Sequence, residues 1–525
     1  MSGTDGKGEN RRTAARAAIR ALPVVETVSV WVDCPPSFAH KAAWVLTTLL
    51  ATRGVRTEVV FGNDADGARG CALAYAAAPV PGVPTVPRSA AAVELFEKRR
   101  PLPAGSYSWF ASPGGAGDTG GQDVDDRVPG AFPVAGDGFA VPFDLVASAF
   151  VLLAAWDERT TTERDNHGRL PYAASTFAHE PALELTSPLA ERYSGLLAAI
   201  TASRLADLGR PPIGRLDWGE GERFALALTH DVDGLKRWTA RGWLAAGKRT
   251  VGGLRKRDLD KTLFEAKGML HGLTRDLPRG EDPFWTFPQL LAREDRLGLS
   301  STFFVLPGHS HRIDGSQPAV YMRRQPELLR LLRRHGREVG LHGNHRDGRD
   351  QAALAQDRAV LAERAEATLA GIRYHYLKCL YHETLPMLDR AGFAYDTSVA
   401  FAEHEGWRCG TSSPFHPYDL DRDRPLELIE LPLALMDSTL QEKKYRALDA
   451  ARALEVALGL AERLAASGGG SAVLWHHNRF HSHVGRGYGD VYWRLLEWAA
   501  SHEGLLLPAG ELVWRWRTLT GDGAP

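Results

Sequence analysis

Carboxylates and histidines gather at the ends of three apolar segments in the second half of the chain. Asp231 and Asp233 follow the first segment, His342 and His345 follow the second, and His476 follows the third. If the segments are parallel β-strands, their carboxyl ends meet at one edge of the sheet, where barrel enzymes place their active sites. The sequence therefore predicts that these five side chains converge.

The residue types and spacings suit metal-assisted hydrolysis. Of two carboxylates two residues apart, one can bind a metal while the other removes a proton. Histidines three apart at a helix start face the same way, so His342 and His345 can join Asp233 around one metal and leave positions open for water. A histidine such as His476 suits a general acid for an amine leaving group. Singly, each feature also has a structural interpretation, as a helix N-cap or a hydrogen-bonded turn.

Two further charged residues are candidates for supporting roles. An arginine at position 373 near Asp231 would stabilise its negative charge, and Asp396 beside His476 would fix the imidazole tautomer. Ordinary structural ion pairs are the alternative interpretation of both residues.

The elements that must position these residues alternate between strands and helices. Six short apolar runs predict strands: Phe224–Thr229, Ser301–Leu306, Glu338–His342, Ile372–Leu377, Leu428–Leu433 and Ala472–His476. Helical patterns such as Gln351–Ala370 lie between them, with Gly371 as the predicted stop signal. Strand–helix alternation over roughly 290 residues predicts a parallel sheet, and a (β/α) barrel is the economical arrangement at this length.

The remaining chain divides into a short tail and a smaller α/β domain. We expect a flexible tail over residues 1–22 and an α/β N-terminal domain of unknown role over residues 23–215, with a flexible loop at about 111–138. The barrel would occupy residues 216–525. A basic insertion at about 236–280 is interpreted either as a solvated helical insertion or as a lid over the barrel mouth.

Composition narrows the class of protein. The 525 residues are 44% hydrophobic and 24% charged, which is typical of a soluble folded protein. A net charge of −1 gives no global field that would attract nucleic acid or an anionic membrane. Four scattered cysteines, an N-terminus without an apolar core and no run long enough to span a bilayer together predict a cytoplasmic protein without transmembrane segments. The oligomeric state stays open.

The sequence resembles the polysaccharide deacetylase family, also called the NodB-homology carbohydrate esterases. The motifs that carry the resemblance occur in family order across residues 222 to about 515: Leu228–Asp233, Ser301–Val305, Glu338–His342, Gly392–Ser398 and Leu474–His476. Four further segments resemble a bacterial subgroup that joins an N-terminal domain to the deacetylase domain: Trp407–Pro417, Leu431–Leu433 with Met436 and Asp437, and the upstream Phe143–Trp156 and Asp165–Pro171. The fold implied is a distorted (β/α)₇ TIM-like barrel.

The resemblance also implies an activity and a role for each candidate residue. The activity is hydrolysis of an N-acetyl amide on a sugar or glycan precursor, with Zn²⁺ or another divalent transition metal as cofactor. The implied roles are general base for Asp231, metal ligands for Asp233, His342 and His345, orientation of the base for Arg373, general acid for His476 and support of that acid for Asp396.

Two departures from the family pattern leave alternatives open. The family's paired histidines are usually four residues apart, whereas His342 and His345 are three apart. The motif that carries Arg373 lacks its usual Pro and Gly, which makes His375 a candidate for an added ligand or acid. The alternative function is an inactive deacetylase-like barrel that binds carbohydrate or a partner. A third possible function is that of a sugar-nucleotide transferase, in which Asp231 and Asp233 would bind a metal–diphosphate.

Overall fold

The structure is a computed structural model. It describes residues 26–112, 127–219, 221–238, 240–255, 257–273, 282–308, 318–345 and 350–522. The predicted tail at residues 1–22 lies outside the described residues, as does the middle of the loop predicted at 111–138.

The first half of the chain is built around a small parallel sheet. Its strands are β1 (Thr27–Val32), β2 (Arg56–Phe61), β3 (Leu73–Ala76) and β4 (Thr85–Pro87), in the order β2-β1-β3-β4. Around it lie α1 (Pro36–Ala51), α2 (Ala90–Glu97), α3 (Leu145–Leu153), α4 (Trp156–Thr160), α5 (Thr176–His179), α6 (Leu189–Asp207) and the antiparallel pair β5 (Ser108–Ala111) and β6 (Arg127–Gly130).

The buried carboxyl group of Asp144 ties three of these elements together. It caps α3 by accepting a hydrogen bond from the amide of Ala147 at 2.8 Å. Its other oxygen accepts from the hydroxyl of Tyr75 in β3 at 2.9 Å and from the amide of Ser89, which precedes α2, at 2.7 Å. All nine residues of α3 are buried, so this helix forms the centre of the first half.

The second half contains a larger sheet in which all neighbouring strands are parallel. Its strands are β7 (Phe224–Val232), β8 (Thr302–Val305), β9 (Glu338–Gly343), β10 (Gly371–Tyr374), β11 (Tyr395–Asp396), β14 (Ile429–Glu430), β15 (Leu433–Met436), β16 (Gly470–Leu474) and β17 (Gly504–Leu507). The short antiparallel pair β12 (Tyr418–Asp419) and β13 (Arg424–Pro425) stands apart from it. The order is β14-β11-β10-β9-β8-β7-β16-β15, and β17 also pairs with β7.

The connection between the two edge strands requires this sheet to curl. β14 and β15 lie at opposite ends of the strand order, but only Leu431 and Pro432 separate them in the chain. Such a connection spans about 10 Å at most, so the two edges must approach each other. The result is a curled parallel half-barrel, which confirms the predicted α/β class with a TIM-like sheet. The nine strands do not reproduce the expected count of seven.

Helices connect the strands of the larger sheet. They are α7 (Ala240–Arg255), α8 (Leu259–Leu273), α9 (Phe287–Leu297), α10 (Pro318–Arg334), α11 (Gln351–Ala365), α12 (Tyr381–Arg390), α13 (Asp437–Gln441), α14 (Ala450–Ser467), α15 (Ser482–Gly485), α16 (Tyr488–Ser501) and α17 (Ala509–Thr520). α14 is capped by Asp449 and ends at Gly468 with a φ of 76°. α11 ends at Ala365, with Glu366 as its C-cap, and so stops before the predicted stop at Gly371. Over the described ranges, no helix has the length and apolar character needed to cross a bilayer.

Strand β7 is the centre of the larger sheet. It pairs with β16 through Ala225–Thr229, with β17 through Phe224–Ala227 and with β8 through Thr229–Val232. All nine of its residues are buried. Because every neighbouring strand is parallel, the carboxyl ends of these strands lie at one edge of the sheet. The carboxylates at the end of β7 therefore lie at this edge.

The two halves of the chain share one continuous apolar core, so the boundary near residue 215 stays a prediction. Polar contacts also cross between them. Glu158 in α4 forms an ion pair with Arg408, and both side chains are buried. The indole nitrogen of Trp44 in α1 donates to the carbonyl of His416 at 2.8 Å.

Loss of the Arg408 charge should destabilise the protein strongly. Arg408→Met keeps an apolar side chain of similar length but leaves the Glu158 carboxylate buried without its partner, so the free energy of unfolding should fall by about 3–5 kcal/mol. Urea denaturation measures this loss.

The matched control is Arg159→Met, which removes the ion pair between Arg159 and the exposed carboxylate of Asp421. That change should cost about 1 kcal/mol or less. Equal losses in the two variants would contradict a special contribution from the buried pair.

Candidate metal centre

Three side chains at the carboxyl edge of the larger sheet offer ligand atoms to one metal ion. Asp233 follows β7, His342 lies in β9 and His375 follows β10, and their ligand atoms all lie within 4.8 Å of one another. Asp233 Oδ1 is 3.2 Å from His342 Nε2 and 3.6 Å from His375 Nε2. Ligand atoms on a tetrahedral ion with bonds of about 2.0–2.1 Å are about 3.3 Å apart, so the three residues fit a divalent transition metal.

The orientation of His342 is fixed by the neighbouring strand. Its Nδ1 lies 2.9 Å from the carbonyl oxygen of Arg373, to which it donates, so Nε2 is left facing Asp233. This arrangement is the usual way in which a metal-binding histidine is held. Burial disfavours the charged imidazole, but the carboxylates of Asp231 and Asp233 outweigh burial and raise the pKa of His342.

His375 lies in a turn whose backbone is held by the first half of the chain. The next two residues, Tyr376 and Leu377, have φ values of 60° and 53°, a conformation that is costly for residues other than glycine. The ring of Tyr376 stacks between those of His375, at 3.9 Å, and His167, at 4.5 Å. Arg169 donates to the carbonyl oxygen of Tyr376.

The structure groups Asp233 and His342 with His375, the alternative ligand that the sequence left open, and His345 lies outside this group. His345 Nδ1 instead lies 2.9 Å from the ammonium nitrogen of Lys378. The cause is strand register. β9 ends at Gly343, so His345 comes after the strand, whereas the pairing of Arg373 with His342 brings the end of β10 beside it.

The expected contact between Arg373 and Asp231 is present. Arg373 Nη1 donates to Asp231 Oδ1 at 3.1 Å and to the hydroxyl of Thr229 at 2.6 Å. Its Nε and Nη2 donate to the carbonyl and hydroxyl oxygens of Thr397, each at 3.0 Å. The other oxygen of Asp231 lies 3.8 Å from His342 Nε2, so this carboxylate borders the candidate metal centre.

His476 follows β16 and borders the centre from the other side. Its Nε2 is 3.4 Å from Asp233 Oδ2, and its Nδ1 is 2.6 Å from Asp437 Oδ1. The same carboxyl group accepts from the amide of His476 at 2.9 Å. Burial favours the neutral ring, but the negative charges of Asp437 and Asp233 outweigh it and raise the pKa of His476 to about 9.

Asp437 therefore occupies the position beside His476 that we expected for Asp396. Asp396 is buried one strand away from the site and accepts hydrogen bonds from the amide and hydroxyl of Ser398 at 2.8 and 2.7 Å. The reason is the strand order, because β15 pairs with β16 whereas β11 pairs with β14. The sequence carried a signal for Asp437, which follows an apolar run just as the other site residues do.

Asp396 belongs to a buried pair of carboxyl groups. It lies opposite Glu430 in the register of β11 and β14, and both side chains are buried. Glu430 also accepts from the amide of Val399 at 3.1 Å. Burial and then the charge of Asp396 raise the pKa of Glu430 well above its ordinary value.

Comparisons with known proteins give limited similarity. Residues 54–203 match a family described as a family of unknown function, DUF7033. A search of the curated proteins found no match. Among solved structures, the chain is similar to a "putative polysaccharide deacetylase" from Mycobacterium smegmatis, with 21% identity, coverage of 59% of this chain and 94% of that chain, and a TM-score of 0.39.

Two other solved structures are similar over about the same share of the chain. A chitin deacetylase from Colletotrichum lindemuthianum has 13% identity, coverage of 55% of this chain and 87% of that chain, and a TM-score of 0.29. A CE4 family pseudoenzyme from Bacillus anthracis has 11% identity, coverage of 55% and 65%, and a TM-score of 0.28. Overall similarity is thus low, and the function must be inferred from the site itself.

Replacement of Glu430 by glutamine should change how stability depends on pH. Because the folded-state pKa of Glu430 is raised, folded protein keeps this proton where unfolded protein loses it, and stability falls as pH rises above about 4.5. Glu430→Gln cannot lose the proton, so its melting temperature relative to wild type should increase from pH 5 to pH 8.

The control is Glu427→Gln, which changes an exposed carboxylate in the same segment. Its melting temperature should follow that of wild type across the same pH range. A Glu430→Gln curve parallel to the wild-type curve would contradict a buried proton on Glu430.

Proposed function

We propose that the protein is a metal-dependent hydrolase that removes an N-acetyl group from a sugar or glycan precursor. One observation carries the proposal: a metal-ligand group of Asp233, His342 and His375 lies between an arginine-bound carboxylate, Asp231, and a carboxylate-bound histidine, His476. Hydrolysis of an amide needs these functions together, namely a base for water and an acid for the departing amine. The motif resemblance to polysaccharide deacetylases supports the choice of substrate.

The metal would be held by Asp233, His342 and His375. Two imidazoles and one carboxylate favour Zn²⁺ among the divalent transition ions and leave coordination positions for substrate and water. When bound, such an ion supplies Lewis acidity toward the amide carbonyl oxygen and toward the attacking water.

The residues around the centre divide the proton transfers between them. Asp231 accepts the proton of the attacking water, and the guanidinium of Arg373 fixes the orientation of that carboxylate. His476 donates a proton from Nε2 to the departing amine, because Asp437 holds its Nδ1 hydrogen. Burial lowers the pKa of His476, but the carboxylate of Asp437 raises it and the net shift is upward, which favours the protonated ring that a general acid needs.

Metal content distinguishes the two possible ligand sets. Wild-type protein reconstituted with Zn²⁺ should hold one ion per chain, measured by elemental analysis after desalting. His342→Ala and His375→Ala should lose the ion because each removes a ligand, whereas the matched variant His345→Ala should retain it. If His375→Ala retains the ion and His345→Ala loses it, the metal ligands are instead Asp233, His342 and His345, as the sequence predicted.

The activity test uses Asp231→Asn, which keeps the shape of the side chain but removes the base. Metal content should stay at the wild-type level, and release of acetate from acetamido sugars should fall by about a hundredfold or more. A metal-loaded wild type that binds such sugars but releases no acetate would instead favour the carbohydrate-binding barrel.

The Arg169 contact should contribute to metal affinity through His375. Arg169→Met removes the donor to the carbonyl of Tyr376, so the strained turn should relax and the Zn²⁺ dissociation constant should rise by about 10–100-fold. Competition with a chromophoric chelator measures this change. Arg164→Met is the control, because Arg164 donates to carbonyls of its own segment, including that of Thr161. Equal affinities in the two variants would contradict the prediction.

A further inference from the structure

Exposed apolar side chains are concentrated on one helical hairpin. Seven large hydrophobic side chains are exposed in the described parts of the chain, and four of them belong to α7 and α8. They are Val251, Leu254, Leu259 and Leu263, which are 49%, 56%, 69% and 69% exposed. Four such residues within thirteen positions form a patch, unlike the scattered apolar residues that are normal on a protein surface.

The hairpin presents these residues around its turn. Arg249 in α7 donates to Glu265 in α8 at 2.8 Å, and the two residues are equally far from the turn, as in antiparallel helices. Val251 and Leu254 are three residues apart on α7, and Leu259 and Leu263 are four apart on α8. Each pair therefore lies on one face of its helix. The four side chains form an apolar tip at the end of the hairpin, which we call the hairpin tip.

Positive charge surrounds the hairpin tip. Residues 236–280 contain twelve Lys and Arg but four Asp and Glu, in a chain whose net charge is −1. Lys248, Arg255 and Arg257 are exposed beside the apolar residues. Two of the acidic residues have local partners, since Asp258 caps α8 and Asp260 lies 3.0 Å from His483 Nε2.

The hairpin packs against two segments that follow residues of the candidate site. Arg237, four residues after Asp233, donates to Glu265 at 2.7 Å. The ring of Phe264 stacks on His483, with centroids 4.1 Å apart. His483 follows His476 by seven residues. The hairpin is therefore attached to the segments that follow Asp233 and His476, two of the residues at the candidate site.

We propose that the hairpin tip docks on an anionic lipid bilayer. Apolar side chains flanked by Lys and Arg match the interface of such a bilayer, where apolar groups enter below the headgroups and basic groups bind lipid phosphates. A second copy of this chain is disfavoured as the occupant, because two surfaces of the same charge repel each other. The consequence for substrate choice rests on the proposed function: docking would bring the site to an acetamido sugar carried by a lipid.

Vesicle co-sedimentation tests the docking without reference to activity. Full-length protein should bind vesicles of phosphatidylcholine and phosphatidylglycerol at 3:1, bind vesicles of phosphatidylcholine alone at least about tenfold more weakly, and dissociate as salt rises. Leu259→Ser/Leu263→Ser should lower binding to the anionic vesicles by about tenfold or more, and Arg255→Gln/Arg257→Gln should also weaken it. Because all four side chains are exposed, these variants should fold normally.

Leu297→Ser is the matched control, since Leu297 is 52% exposed at the end of α9, outside the hairpin. It should bind vesicles like wild type. Docking is overturned if wild type does not bind anionic vesicles, if Leu297→Ser weakens binding as much as the hairpin variant, or if Leu259 and Leu263 instead support a concentration-dependent dimer. Zinc content measured on the same samples separates this result from the proposed function, because no variant here alters a metal ligand.

Discussion

The buried guanidinium of Arg373 is the interaction on which the candidate site depends. A fully buried positive charge is tolerated only when its donors are satisfied, and here they bind Asp231, Thr229 and Thr397. The carbonyl of the same residue accepts the Nδ1 hydrogen of His342. One residue thus joins the strands β7, β9 and β10 and orients both a candidate base and a candidate metal ligand.

The sequence predicted the parts of the site that depend on strand ends. Asp231, Asp233, His342 and His476 all follow or end apolar runs, and the structure brings them to one edge of a parallel sheet. The sequence did not predict the pairing of strands. Period-two and helical patterns identify a strand or helix but contain no information about its neighbour. Strand order alone therefore determines that Asp437, and not Asp396, lies beside His476.

The sequence could not assign a role to His375 for a different reason. Its position depends on a turn with two residues in the left-handed region, and that turn is held by Arg169 from the first half of the chain. Contacts across such sequence distances are invisible to local patterns. The same limit applies to the domain boundary, because a composition change near residue 215 does not reveal a core that continues across it. The first half, whose role the sequence left unknown, contacts the turn that carries a candidate ligand.

The pairing of β7 has a consequence for how the protein is made. Two of its three partners, β16 and β17, come from residues 470–507 of a 525-residue chain. During synthesis β7 leaves the ribosome about 240 residues before β16 is made, so the edge of β7 that pairs with β16 stays unpaired during that interval. Folding dominated by such distant pairings is slow and exposes apolar strand edges meanwhile. The nascent chain therefore passes through a long aggregation-prone interval, and a protein shortened from its carboxyl end would lack the strands that complete the centre of its sheet.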